Sequence, residues 1–131
     1  MKKTIFVKAT AVLTMLALAL VITGIPGTAL ASVDSVSITP PASSSIPVGG
    51  QVTLSGSATL SGGGTPTYAW TESGSHSSLS SPTTGTSVTV TGLSVGDSTI
   101  RLTATDPSDS TTNYAEQAIS VTAMYLTDSS I

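Results

Sequence analysis

The five residues from Gly92 to Gly96 have the spacing of a catalytic motif, G-x-S-x-G, with Ser94 at its centre. In esterases this pattern places a nucleophilic serine on a sharp turn between a strand and a helix, and a histidine follows later in the chain. Here the residues after Gly96 have the pattern of a strand, and the single histidine, His76, precedes the motif. The pattern therefore predicts a turn between two strands, in which the glycines permit tight backbone geometry.

His76 lies in a polar stretch between Gly74 and Ser78. A single histidine without cysteines or a nearby acidic cluster is a poor metal site. We therefore expect a solvated loop residue. Glu72 could meet His76 across a turn, although nothing in the sequence requires that contact.

Asp106 and Asp109 are two carboxylates within four residues, in the sequence Asp-Pro-Ser-Asp. Calcium takes six or more oxygen ligands, usually with several carboxylates among them, and Asp97 could contribute from a neighbouring loop. The same residue types also form ordinary turns, and no twelve-residue calcium loop is present. We favour the turn over calcium binding, and we predict no catalytic residue, no metal ligand and no cofactor.

The elements that must position these residues are strands. Apolar residues alternate with Ser and Thr, which places each apolar set on one side of a sheet. The alternating sets are Val36 and Ile38; Val52, Leu54 and Ala58; Tyr68 and Trp70; Val88 and Val90; Ile100, Leu102 and Ala104; and Ala115, Ile119 and Val121.

Turn-forming stretches separate these sets at intervals of roughly ten residues, which is typical of an antiparallel β-sandwich. A further short strand is predicted near Ser77 to Ser80. The segment from Thr39 to Pro47 contains three prolines and is predicted to be a kinked edge segment, because proline cannot donate to a strand ladder. The fold class is therefore all-β, with an antiparallel sandwich of about seven strands.

Three stretches resemble the immunoglobulin-like domains of bacterial and archaeal surface proteins, and the PKD (polycystic kidney disease) type in particular. They are Tyr68-Ala-Trp70, Gly92-Leu-Ser-Val-Gly-Asp97 and Thr99-Ile-Arg-Leu-Thr-Ala-Thr-Asp106. PKD domains usually continue after the tryptophan with an acidic-aromatic-Gly-Asp-Gly stretch, whereas this chain continues with Thr-Glu-Ser-Gly-Ser. The resemblance implies an Ig-like sandwich in which Trp70 fills the space between two sheets.

Residues 1–31 have the three parts of a secretory signal peptide. Lysines are followed by an apolar stretch from Ala9 to Ile22, which is shorter than the about 20 residues of a membrane span. Ala29 and Ala31 supply the small residues that signal peptidase needs, so cleavage is predicted before Ser32. The predicted organisation is a signal peptide helix at 1–31, a sandwich domain at 32–123, and a C-terminal tail or the start of a further segment at 124–131.

Cleavage would remove every lysine and leave Arg101 alone against the seven acidic residues. A surface with one such cation cannot neutralise phosphates, which argues against nucleic acid and against anionic membrane surfaces. We therefore expect no nucleic-acid partner and no membrane association after cleavage.

The expected function is that of a secreted or cell-surface, non-catalytic Ig-like module for adhesion, protein–protein interaction or structural spacing. Its partners would be other extracellular or surface proteins, and its location the extracellular space or the cell envelope. The alternative is an accessory carbohydrate-binding module of a secreted polysaccharide-degrading system, with polysaccharide as the partner.

Overall fold

The computed structural model describes residues 32–124, and within this range it contains strands and no helix. The predicted signal peptide, with Ala29 and Ala31, lies outside the described residues, as do residues 125–131. The eight strands are β1 (Val33–Thr39), β2 (Ser45–Pro47), β3 (Gln51–Leu60), β4 (Thr67–Ser73), β5 (Ser77–Leu79), β6 (Ser87–Gly92), β7 (Gly96–Thr105) and β8 (Thr112–Thr122).

The strands form two four-stranded sheets, in the orders β1-β3-β6-β5 and β2-β8-β7-β4. Every neighbouring pair is antiparallel except β2 and β8, which are parallel. The inner faces of both sheets contribute to one apolar core. The prediction of an all-β protein with two packed sheets is therefore confirmed.

Strand β7 illustrates how the sequence specifies the sheets. Ile100, Leu102 and Ala104 are completely buried, while Arg101 between them is exposed. Successive side chains of a strand point to opposite faces, so this alternation fixes which face of β7 meets the core. The short strand predicted near Ser77 is confirmed as β5.

Eight strands are present where about seven were predicted, because the proline-containing segment forms β2. Strand β1 ends at Thr39, immediately before Pro40 and Pro41. These prolines cannot donate to the ladder with β3. The chain then crosses to the other sheet, where β2 pairs with the end of β8 as an edge strand.

Trp70 lies at the centre of the core, with only 3% of its surface exposed. Its ring has room because Gly56, opposite it on β3, has no side chain; a methyl group there would collide with Leu102 and press on the indole. Tyr68, two residues before Trp70, accepts a hydrogen bond of 3.2 Å at its hydroxyl from the Ala58 amide on β3. The structural role predicted for Trp70 is confirmed.

Within residues 32–124 no helix has the length and apolar character that crossing a membrane would require.

Candidate functional site

The turn between β6 and β7 brings His76 to Ser94. The Nδ1 atom of the imidazole lies 3.0 Å from the Ser94 hydroxyl oxygen. The His76 carbonyl oxygen also accepts hydrogen bonds from the amides of Leu93 and Ser94, at 2.8 and 3.3 Å. Histidine and the motif serine are therefore adjacent, although they lie 18 residues apart in the chain.

The imidazole ring of His76 packs directly on Gly96. A Cβ atom at this position would lie 2.5 Å from the His76 ring, and the backbone φ of Gly96 is +146°, a conformation that other residues rarely adopt. His76 lies in the bend between β4 and β5, as predicted for a loop residue, and it is partly exposed, while its ring also packs against Gly96. The sequence places His76 far from Gly96, and only the pairing of β5 with β6 brings the two together.

Glu72 does not complete a catalytic triad with this pair. Its Oε1 accepts hydrogen bonds from the Ser75 amide at 2.9 Å and from the Ser98 hydroxyl at 2.7 Å. An activated serine needs a base that a third group orients, and the carboxylate instead fastens the β4–β5 turn to β7. The residues after Ser94 continue into strand β7, as predicted. The hydrogen bonds between His76 and Ser94 hold the β6–β7 turn in place.

The two aspartates of the β7–β8 loop each hold a turn through one carboxylate oxygen. Asp106 Oδ1 accepts from the amide and hydroxyl of Ser108, and Asp109 Oδ1 accepts from the amide and hydroxyl of Thr111. The predicted turn is thus present. Asp97 does not join them, because β7 separates it from Asp106 by roughly 30 Å at about 3.3 Å per residue.

Apart from Asp34, which is exposed at the irregular start of β1, the outer face of the sheet β1-β3-β6-β5 consists of uncharged hydrogen-bonding side chains. We call it the hydroxyl face. The registers of the strands place on it Ser35, Ser37, Thr39, Gln51, Thr53, Ser55, Ser57, Thr59, Ser78, Ser87, Thr89 and Thr91.

Many of these side chains bond to one another across the strands. The hydroxyls of Ser35 and Thr59 are 2.7 Å apart and those of Ser37 and Ser57 are 3.0 Å apart. The amide of Gln51 donates to the Thr91 hydroxyl at 3.2 Å. Cross-strand pairs of this kind restrict the rotamers of the side chains. The hydroxyl face is therefore an array of side chains that are linked across neighbouring strands.

The outer face of the sheet β2-β8-β7-β4 differs by its charges, and we call it the charged face. Arg101 donates from both Nε and Nη2 to Oε1 of Glu116, at 2.9 and 2.7 Å. Its guanidinium lies 4.3 Å from the centre of the Tyr114 ring, in cation–π geometry. Asp97 lies on the same face, opposite Ser120.

The hydroxyl face has a signal in the sequence, although no motif marks it. Ser and Thr alternate with apolar residues on β1, β3 and β6 alike. Their combination into one surface depends on these three strands being neighbours, and the sequence does not state which strands pair. Trp70 is buried, so Tyr114, with 55% of its surface exposed, is the only exposed aromatic ring among residues 32–124.

No group of three or more His, Asp or Glu side chains within residues 32–124 is placed to hold a metal ion. No protein-family model matches the chain. A search of curated proteins likewise found no significant match.

Proposed function

We propose that this chain is an exported, non-catalytic Ig-like module that serves in adhesion, protein–protein interaction or spacing, outside the cell or in its envelope. The strand order supports the Ig-like part of the proposal. In constant-type Ig domains one sheet has the order ABED and the other contains CFG. With β1 as strand A, the sheets β1-β3-β6-β5 and β8-β7-β4 have this order, and β2 is the part of the first strand that crosses over.

The position of Trp70 gives further support. It lies on β4, the counterpart of strand C, where Ig domains carry a buried tryptophan. Together with the sequence resemblance, this favours a PKD-like or related bacterial Ig-like domain.

Export is proposed from the signal-like sequence of residues 1–31. The test is the mass of the protein recovered from the medium or envelope of cells that express the full chain. We expect a mature N-terminus at Ser32, and a mass that retains residues 1–31 would contradict cleavage.

The single observation that supports a contact function best is the hydroxyl face. Ordinary domain surfaces mix both charge signs with polar residues. On this face Ser, Thr and one Gln extend across all four strands, and the one exposed charge of the sheet within residues 32–124 is Asp34, at the start of β1. A neutral surface of donors and acceptors can meet a partner without the desolvation cost of buried ions. Cross-strand hydrogen bonds already restrict several of its side chains, so less rotamer freedom is lost on contact.

The test compares two matched serine variants on beads coated with the chain. Ser57→Lys places a charge in the hydroxyl face, and Ser120→Lys places the same charge on the charged face; both serines are exposed on inner strands of their sheets. We expect Ser57→Lys to reduce bead attachment to envelopes of the source cells at least tenfold, and Ser120→Lys to leave it unchanged. Equal attachment of all three proteins would contradict a contact role for the hydroxyl face.

The carbohydrate-binding alternative has one supporting observation, the exposed ring of Tyr114 with Arg101 beside it. Sugar rings stack on exposed aromatic rings, and the guanidinium can donate to sugar hydroxyls. Polysaccharide pull-down that is lost in Tyr114→Ala would favour this alternative. Pull-down that fails for the unmodified chain would contradict it.

A further inference from the structure

Asp106 is a buried carboxylate with one oxygen unused. Only 2% of the residue surface is exposed. Its Oδ1 atom accepts two hydrogen bonds from Ser108, at 2.8 Å from the amide and 2.6 Å from the hydroxyl. Its Oδ2 atom is closed to solvent and has no hydrogen-bond partner among the described residues.

Asp109 repeats this arrangement three residues later. Its Oδ1 atom accepts from the Thr111 amide at 2.8 Å and from the Thr111 hydroxyl at 2.7 Å. Its Oδ2 atom is also buried and without a hydrogen-bond partner within residues 32–124. One short loop thus contains two carboxylates that are each fixed by one oxygen and unsatisfied at the other.

Burying an ionised carboxylate oxygen without a hydrogen-bond partner costs free energy. Buried charges in proteins are therefore normally paired or coordinate metals. The protein itself offers no such pairing here. Arg101 is the only Lys or Arg within residues 32–124. It donates twice to Glu116 from the middle of β7, so its charge is engaged away from the loop.

We propose that the β7–β8 loop binds one Ca²⁺ ion through the Oδ2 atoms of Asp106 and Asp109. Calcium is a hard cation that selects carboxylate, carbonyl and water oxygens, and its flexible coordination tolerates a loop site. The hydroxyl oxygens of Ser108 and Thr111 and the loop carbonyls are the neighbouring oxygens that, with water, complete the shell. Mg²⁺ fits less well, because it demands octahedral geometry and dehydrates reluctantly.

Two carboxylates make a weak site. Because no third acidic ligand is placed beside them among the described residues, we expect a dissociation constant of about 10⁻⁴ to 10⁻³ M, the range of extracellular calcium modules. Such a site is filled where calcium is millimolar.

The experiment uses the full chain after treatment with a chelator, with Ca²⁺ alone as the probe. At ten times the dissociation constant, binding shifts the unfolding equilibrium by about tenfold, which raises the Tm by roughly 5 °C or more. We expect that rise with 10 mM CaCl₂ and a much smaller one with 10 mM MgCl₂. Equal Tm values with calcium, magnesium and chelator would overturn the proposal.

Aspartate variants test whether calcium binds in the β7–β8 loop. Asp106→Asn and Asp109→Asn should each abolish most of the calcium-dependent rise in Tm, while Asp97→Asn, which removes the same charge at the other end of β7, should keep it. A rise that Asp97→Asn reduces as strongly would show a general ionic effect and overturn the proposal. If Asp106→Asn does not fold, the half-buried Asp109 still provides the comparison.

A direct readout is the amide NMR spectrum during a calcium titration. We expect saturable shifts at the amides of Ser108 and Thr111, which bond to the proposed ligands. Shifts spread over both sheets, or none in this loop, would contradict the site.

Discussion

The indole nitrogen of Trp70 lies 2.8 Å from the carbonyl oxygen of Gly85 and donates a hydrogen bond to it. The backbone amide of Trp70 also donates, at 2.8 Å, to the carbonyl oxygen of Thr83. Trp70 belongs to β4 in one sheet, and residues 83 and 85 precede β6 in the other. One residue therefore fills the core and joins both sheets through the segment that precedes β6.

Replacement of Trp70 should separate the contribution of its buried ring from that of its hydrogen bond to Gly85. Trp70→Ala removes a buried ring and should lower the free energy of unfolding by about 3 to 5 kcal/mol. Trp70→Phe keeps a ring but leaves the Gly85 carbonyl without its donor, and should cost less than the alanine variant. Urea unfolding followed by far-UV circular dichroism measures both. A loss below about 1 kcal/mol for Trp70→Ala would contradict the central role of the indole.

Gly96→Ala should destabilise the protein more than Gly63→Ala. Both glycines have positive φ, +146° at Gly96 and +69° at Gly63, but a Cβ atom meets nothing within 4 Å at Gly63. At Gly96 it collides with the His76 ring. We expect about 1 kcal/mol for Gly63→Ala from backbone strain alone, and about 2 to 5 kcal/mol for Gly96→Ala from strain and overpacking. Equal losses in thermal unfolding would contradict the packing of His76 on Gly96.

The hydrogen bond between His76 and Ser94 should be measurable as a coupling. In a double-mutant cycle with His76→Ala and Ser94→Ala, we expect an interaction of about 0.5 to 1.5 kcal/mol in the free energy of unfolding. Additive single-variant effects would mean that the pair does not contribute to stability.

The same two residues give a test of the non-catalytic proposal. The unmodified chain and Ser94→Ala should hydrolyse an activated ester such as p-nitrophenyl acetate at equal rates, because the serine holds a turn. A loss of hydrolysis in Ser94→Ala, with the fold retained, would show that Ser94 is an activated nucleophile.

The ion pair between Arg101 and Glu116 should contribute little to stability. Both side chains are nearly half exposed, at 47% and 42%, and exposed pairs typically contribute below about 1 kcal/mol. A double-mutant cycle with Arg101→Ala and Glu116→Ala should give a coupling in this range. The coupling should shrink in 1 M NaCl, where the screening length is about 3 Å, and a coupling independent of salt would contradict this explanation.

The sequence by itself determined the strands and their buried sides. Period-two alternation marks β3, β6 and β7. The side of each strand that carries Leu54, Val90 or Leu102 is the side that can leave water without burying unpaired polar groups. The same pattern identified Trp70 as a core residue. The prolines after Thr39 predicted an edge segment, though not the sheet to which it belongs.

Tertiary structure decided which residues meet. His76 and Ser94 are brought together by the pairing of β5 with β6, and the hydroxyl face exists because β1, β3 and β6 are neighbours. Asp97 and Asp106 are nine residues apart in the chain, and an extended strand holds them at opposite ends of the sandwich. Alternation is a local property of one strand, whereas strand order results from packing over long sequence separations. For that reason the buried sides could be predicted from the sequence, and the sites between strands could not.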